Sequence, residues 1–400
     1  MPQDKKDKNL NVPPLRFPGF TDEWKLSKLG DECEIQMCKR ILAQQTTPKG
    51  EVPFFKIGTI GGQPDAYISY ELFNLFKEKY NYPQKGEILI SCAGTVGRCV
   101  RFDGNPAYFQ DSNIVWPRNT QCAYTNDFLF YILSNQNWKH LNTTTIVRIY
   151  NDDLRSLKIH YPSIEEQKKI TRLLVLIDER IATQNKIIDN LQSLIKGLND
   201  SFHDGIQGTP ISFDQIGRSY SGLSGKSGDD FGQGSPFITY LNVYQNNIVN
   251  EKQIDLVAID ANESQNTVSY GDVLFTLSSE TPEETGIGCV YLGSSGKYYL
   301  NSFCFGVTIT HPDKVYPPYL AYLVSSSKFR KFVYPLAQGS TRFNLQKSDF
   351  MRKQFTLLPI EKQKEIATIL DTLNNRLSVE CKLNELYKSQ KDYLLRKLFI

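Results

Sequence analysis

Two stretches of the chain have the residue types of anion-binding loops. Tyr220–Ser227, YSGLSGKS, departs from the phosphate-loop pattern G-x-x-x-x-G-K-[ST] at its first position, where Tyr220 replaces the glycine. That glycine lets the backbone wrap a phosphate, so the stretch reads as a Gly/Ser loop. Ser91–Arg98, SCAGTVGR, could cradle an anion through backbone N–H groups or simply turn between strands. His140, His160, His203 and His311 show no metal-ligand spacing, and the eight cysteines include no C-x-x-C pair. The chain has no D-P-P-Y or N-P-P-[YF] adenine-methyltransferase signature and no nuclease-like carboxylate–lysine cluster. Neither an active site nor a cofactor nor a metal is expected.

The elements that would position any site are dominated by one segment. Ser163–Phe202 follows Pro162 and opens with a capping box, in which Ser163 accepts from the Glu166 N–H and the Glu166 side chain reaches back. Leu174, Ile177, Ile181, Gln184, Ile188, Leu191, Ile195, Leu198 and Phe202 then alternate in steps of three and four, an a/d seam broken only by Gln184. Such a helix spans roughly 60 Å at 1.5 Å per residue. Its apolar stripe needs an equally long partner, and Pro359–Ile400 supplies one. At an offset of 196, Glu165 falls on Glu361, Gln167 on Gln363, Ile170 on Ile366, Leu174 on Leu370, Gln184 on Glu380 and Leu198 on Leu394. Beyond Glu380 the second seam is expected to drift by one residue, through Leu383, Leu386 and Tyr393.

The bodies between the helices repeat as well. Lys85–Ser91 is echoed by Tyr270–Thr276, Thr95–Val100 by Gly286–Tyr291, Phe128–Leu133 by Tyr319–Val324, and Thr143–Leu154 by Gly339–Phe350. Strands are expected at Pro53–Ile60 and Gly86–Cys92, and a helix at Asp127–Asn135. The organisation is an arm at 1–24 whose LRFPGF…W start, Leu15–Trp24, could fasten to a globular body. A first body follows at 25–161, a long helix at 162–203, a linker at 204–210, a second body at 211–357 and a second long helix at 358–400. The fold class is α+β: two similar mixed α/β bodies and two long antiparallel coiled-coil helices, related by a pseudo-twofold internal duplication.

The 400 residues are 40% hydrophobic and 22% charged, an ordinary globular composition. No apolar run reaches membrane-spanning length, and the charged first residues lack a signal core, so neither a membrane nor secretion is expected. Cysteine usage fits a reducing cytoplasm. A net charge of +3 is small for a chain that would bind nucleic acid through phosphates alone.

The duplicated P-x-x-E-Q-K-x-I helices, the LRFPGF…W start, the paired K/Y-G-E/D-I/V-L turns and the terminal LLRKLF resemble the specificity subunit of type I restriction–modification systems. The resemblance covers essentially the whole chain and lies more in its architecture than in any short motif. The second helix departs from the first in lacking its serine cap. The resemblance implies that each body is a target recognition domain and that the long helices are spacers. It further implies a non-catalytic subunit that reads a bipartite double-stranded DNA site. Two methyltransferase subunits, and restriction subunits through them, are the implied partners. Loop residues suited to base edges are Arg40, Thr95, Arg98, Arg148 and Tyr150 in the first body. In the second they are Tyr220, Ser221, Lys226, Ser279, Thr281, Arg342 and Asn344. A rigid helix pair would also act as a ruler, so that four residues inserted after Asn185 lengthen it by roughly 6 Å and shift the preferred spacer. The rival readings are a coiled-coil adaptor whose bodies bind proteins and a nucleotide-dependent enzyme using Ser221–Ser227.

Overall fold

The computed structural model describes residues 11–138, 148–204, 207–294 and 296–400. It divides into two units, Met1–Thr183 with Asn384–Ile400 and Gln184–Leu383. Each unit therefore takes one body, the beginning of one long helix and the end of the other.

In the first unit the central sheet runs Cys33–Met37, Ile114–Asn119, Ile88–Ser91, Cys99–Arg101 in space, every pair antiparallel. Ile88–Ser91 is buried on both faces, as a continuous apolar run in a covered sheet must be. Its alternation divides two cores. Ile88 and Ile90 join the core that contains helix Asn126–Asn135, while Leu89 faces the core beneath the small sheet Tyr67–Ile68, Val52–Phe55, Tyr108–Phe109. The expected strand at Pro53–Ile60 is shorter than the sequence suggested, ending at Phe55 and passing into a turn. Helix Asn126–Asn135 starts where Thr125 accepts from the Phe128 N–H, at 3.2 Å. The aromatic start also docks: Trp24 is buried, edge-on to Phe128 at 6.0 Å, and Leu15 N–H donates to the Lys397 carbonyl.

The second unit repeats this topology. Its central sheet runs Gly217–Ser221, Cys304–Ile309, Val273–Thr276, Gly288–Val290, and its small sheet Ile254–Val257, Phe231–Ile238, Tyr299–Leu300. Val273 and Phe275 enter one core and Leu274 the other, the same division seen for Ile88–Ile90. A further sheet, Ser278–Ser279, Phe343–Leu345, Ala337–Gln338, stands beside it. The first-body echo of that hairpin includes Thr143–Val147, which lie outside the described residues, as do His140 and the arm before Asn11.

Identical glutamines fasten each body to the helix that follows it. Gln167 donates to the Ala123 and Pro162 carbonyls and accepts from Thr125 N–H, at 2.8, 3.0 and 2.8 Å. Gln363 donates to the Lys314 and Leu358 carbonyls and accepts from Tyr316 N–H, at 2.8, 2.7 and 2.9 Å. Both side chains are wholly buried, so each amide finds its hydrogen-bond partners in backbone groups of the fold.

The long helices are Ile164–Asp204 and Ile360–Leu398. Ser163 caps the first, accepting from Glu166 N–H at 3.4 Å. The return half of the capping box is not made, because the Glu166 carboxylate turns to Arg16, which holds it with two bonds of 2.7 Å. Bidentate pairing with a guanidinium outcompetes one neutral N–H.

The seam of the first helix follows the expected positions, with Leu174, Ile177 and Gln184 buried. The second helix corrects the sequence reading. Leu386 is 65% exposed and Tyr393 50%, so the drift through them does not occur. The covered positions are Glu380, Asn384, Tyr387, Lys391, Leu394 and Leu398, an unbroken heptad at the same offset of 196. Hydrophobicity misplaced the seam because half of its residues are amphipathic and bury their stems while a polar tip finds a partner. Within the first unit, Arg180 donates to Tyr387 Oη at 3.0 Å, and Lys391 Nζ lies 2.6 Å from Asp178, fixing an antiparallel register. Within the second, Gln184 donates to the Glu380 carboxylate and to its carbonyl, at 3.1 Å for the latter, and Arg376 pairs with the same carboxylate.

Candidate nucleic-acid interface

In the first unit the residues singled out by sequence gather where strand Ile88–Ser91 ends. Gly97 N–H donates to the Ser91 carbonyl at 2.8 Å, and the Ser91 hydroxyl to the Thr95 carbonyl, closing a tight turn. Gly97 has φ +79°, and a Cβ there would lie 2.0 Å from Trp138 Cδ1, so only glycine fits. This leaves Thr95 and Arg98 exposed at the tip. Arg98 donates to the Gly61 carbonyl at 3.3 Å and joins the neighbouring turn. Ile149 N–H donates to the Cys92 carbonyl at 2.9 Å, which places Arg148 and Tyr150 alongside, the guanidinium 5.7 Å from the Tyr150 ring. Arg40 and Arg148 line one polar cavity together with Lys56 and Asn113, and Arg40 is 3.5 Å from Asp111. All five candidates of this unit therefore belong to one loop region. Lys56 is not among the sequence candidates because it lies in a stretch that reads as strand; the strand ends at Phe55, and Lys56 lines the cavity half-buried, 3.1 Å from Asp65.

In the second unit the candidates divide. Tyr220 and Lys226 are engaged internally. The Tyr220 hydroxyl donates to Asp272 at 2.7 Å, and its ring covers Gly306, where a Cβ would sit 2.1 Å from Cζ. Burial pushes the phenol far above its usual range and raises the Asp272 carboxyl too. Lys226 pairs with Glu263, and that bond, with one from Gln265, holds the Glu263 carboxyl down at about 2. An ammonium tied to a carboxylate in this way does not face an incoming phosphate, which removes the basis for a nucleotide site.

The other five share one region, and four of them, Ser221, Thr281, Arg342 and Asn344, are exposed. Ser278–Ser279 pairs with Phe343–Asn344, and Leu277 bridges Phe303 and Leu345 through two backbone bonds of 2.8 Å. Arg342 lies 5.7 Å from the exposed Phe303 ring, and Asn344 and Thr281 are exposed beside it. Ser221 Oγ accepts from Lys347 at 3.3 Å, and Gly222 N–H donates to the Cys304 carbonyl. Ser279 is largely covered, its hydroxyl donating to Glu284 at 3.1 Å, so it shapes the loop more than it displays a group. Guanidinium, amide and hydroxyl groups on a rigid sheet edge are the chemistry that reads base edges.

Among the described residues no group of three or more His, Cys, Asp or Glu side chains could hold a metal, and no helix is long and apolar enough to cross a membrane. All eight cysteines are free; burial pushes the thiols of Cys33, Cys38, Cys92 and Cys289 up to about 12, which disfavours the nucleophilic thiolate at those four positions.

Residues 21–193 and 227–387 each match the type I restriction modification DNA specificity domain. The chain is 46% identical over 172 residues to a putative type I restriction enzyme specificity subunit of Haemophilus influenzae, covering 43% of this chain and 44% of that protein. It is 24% identical over 204 residues to the putative MjaX specificity subunit of Methanocaldococcus jannaschii, covering 48% of each. The alignments thus span about half the length of these relatives. The fold is similar to a type I restriction–modification S subunit from M. genitalium, with a TM-score of 0.56, 17% identity and coverage of 97% of this chain and 99% of that one. It is also similar to a chain from a structure of type I system assembly and conformational transition, with a TM-score of 0.58, 16% identity and the same coverage.

Proposed function

The chain belongs to the type I restriction modification DNA specificity family, and from that premise we propose that it is the non-catalytic, sequence-reading subunit of a type I restriction–modification complex. Each unit reads one half of a bipartite double-stranded DNA target, the first through Arg40, Thr95, Arg98, Arg148 and Tyr150. The second uses Ser221, Thr281, Arg342 and Asn344, with Ser279 shaping the loop. The observation that carries this reading is one scaffold with two faces. Strand order, core division and glutamine clamp are the same in both units, while the loops that end the central strand differ in sequence and support. Duplicated readers with unlike loops suit two unlike half-sites.

The modest net charge fits a division of labour in which partner subunits carry phosphate contacts. Two methyltransferase subunits are the partners we infer, docking on the long helices, with restriction subunits attached through them. Exposed apolar side chains support this, Leu386 and Tyr393 in the first unit and Ile187 and Leu194 in the second. The work belongs in the cytoplasm. The test is methylome sequencing of cells expressing the chain with its cognate methyltransferase. Methylation confined to one split motif is expected. Replacing residues 211–357 with another member's second domain should change only one half of that motif. A single continuous motif, altered throughout by the swap, overturns the reading.

A further inference from the structure

In the second unit the loop Ser279–Gly286 leaves the central strand and carries ETPEET at 280–285. Its side chains Glu280, Thr281 and Glu283 are exposed, whereas Glu284 is held by Tyr244 at 2.7 Å and by Ser279 at 3.1 Å. Beneath the loop, Arg330 on helix Ser327–Val333 donates to three of its carbonyls, Gly286 and Glu283 at 2.7 Å and Thr285 at 2.8 Å. Three glutamates share this loop, yet Arg330 makes no ion pair among the described residues. A half-buried guanidinium that faces backbone carbonyls, with carboxylates nearby, is fixing a backbone path. Its planar fork of donors suits three diverging acceptors, which a lysine ammonium does not match. The loop also returns tightly over the same helix at Gly286, φ +67°, where a Cβ would meet Val333 at 2.8 Å.

We propose that Arg330 is a positioning residue for base discrimination: it holds the Ser279–Gly286 loop in one conformation, so that Glu280, Thr281 and Glu283 meet the second half-site in fixed geometry. Base edges are told apart by donor and acceptor placement, and a site about 1 Å too loose loses that discrimination. The inference rests on the second unit being a half-site reader and goes beyond it by naming the residue that sets its accuracy.

The experiment uses the full chain in complex with its cognate methyltransferase, as wild type, Arg330→Met and Arg330→Lys. Methylation rates are measured on duplexes with single substitutions across each half-site. Arg330→Met should lose about tenfold in discrimination at the second half-site, the worth of one good base contact, with first-half discrimination unchanged. Arg330→Lys should fall between Met and wild type, and amides of 280–286 should exchange faster in the Met variant. Unchanged second-half discrimination in an assembled Met variant overturns the proposal, because support of the fold alone predicts that result. An equal loss at both halves overturns it too. If Arg330→Met does not assemble, Thr285→Val removes only the 3.1 Å bond from its hydroxyl to the Thr281 carbonyl. A loss confined to the second half then supports the proposal, and faster loop exchange with intact discrimination overturns it. Absence of any split motif for the wild-type complex would instead overturn the reading of the units as half-site readers.

Discussion

Strands Ile88–Ser91 and Val273–Thr276 occupy the same place in their sheets, yet the loops that follow them are supported by different physics. In the first unit the support is a wall of packing, Trp138 pressed on Gly97, with Trp138 Nε1 donating to the Leu133 carbonyl at 3.3 Å. In the second it is a fork of hydrogen bonds from Arg330. The buried acids one turn earlier differ similarly. Glu87 pairs with Arg118 at 2.9 Å, whereas Asp272 meets the neutral Tyr220. One scaffold thus tolerates unlike loops, provided that each brings its own support. Packing fails by collapse and cavity formation, hydrogen bonds by loosening, so the two units should break differently.

The largest effect is expected at the packing wall. Trp138→Ala should cost about 3–5 kcal/mol by cavity formation, read as a lower thermal midpoint. Gly97→Ala should cost about 3 kcal/mol from overpacking and a strained positive φ. Because the added Cβ and the indole contest one space, the double variant should cost less than the sum. Strict additivity would show that Trp138 does not support the turn.

Where the units are alike they should respond alike. Gln167→Leu and Gln363→Leu each strand one N–H and two carbonyls, so each should cost about 2–3 kcal/mol in denaturant unfolding. A difference of more than about 1 kcal/mol between them would break the equivalence of the clamps.

The corrected seam makes a contrast between neighbours. Leu386→Asp should change stability by less than about 0.5 kcal/mol as an exposed site. Tyr387→Asp should cost about 1–3 kcal/mol, losing packing and the Arg180 bond. The reverse order would restore the seam that hydrophobicity suggested.

The smallest expected effect separates two ring contacts. Phe399 lies 5.4 Å from Phe128 in the first unit, and in the second His203 stacks on Tyr319 at 5.5 Å. His203 is buried, its Nδ1–H donating to the Asn199 carbonyl at 2.7 Å. Asp200 and Asp204 on its own helix and Lys328 opposite are its charged neighbours. Burial lowers its pKa, so the folded state prefers neutral imidazole. That stability is complete above the unfolded value of about 6.5 and is lost as pH falls below it toward the folded value. Unfolding of the second unit followed between pH 7.5 and 5 should show this loss, and His203→Phe should abolish it. An unaltered pH slope in that variant would rule out His203 as the source.

The repeat at an offset of 196, the two helices, the serine cap and the glutamine pair were all legible in the chain itself. Periodicity and capping are local, and local patterns survive whatever the rest of the molecule does. So was the region of the first unit's loops, because Gly94 and Gly97 mark a turn and arginines surround it. Other features depended on neighbours far away in sequence. Whether Tyr220 faces solvent was decided by Asp272 and Gly306, and whether Lys226 is available by Glu263. Tyr387 rather than Leu386 faces the partner helix because Arg180 and the register place it there. Arg330 looks like an ordinary surface residue of an amphipathic helix until three carbonyls converge on it. Residue type and spacing determined which elements form; the long-range packing of those elements decided which polar groups remain free to meet a ligand, since a hydrogen bond made inside the fold is one no longer offered outside it.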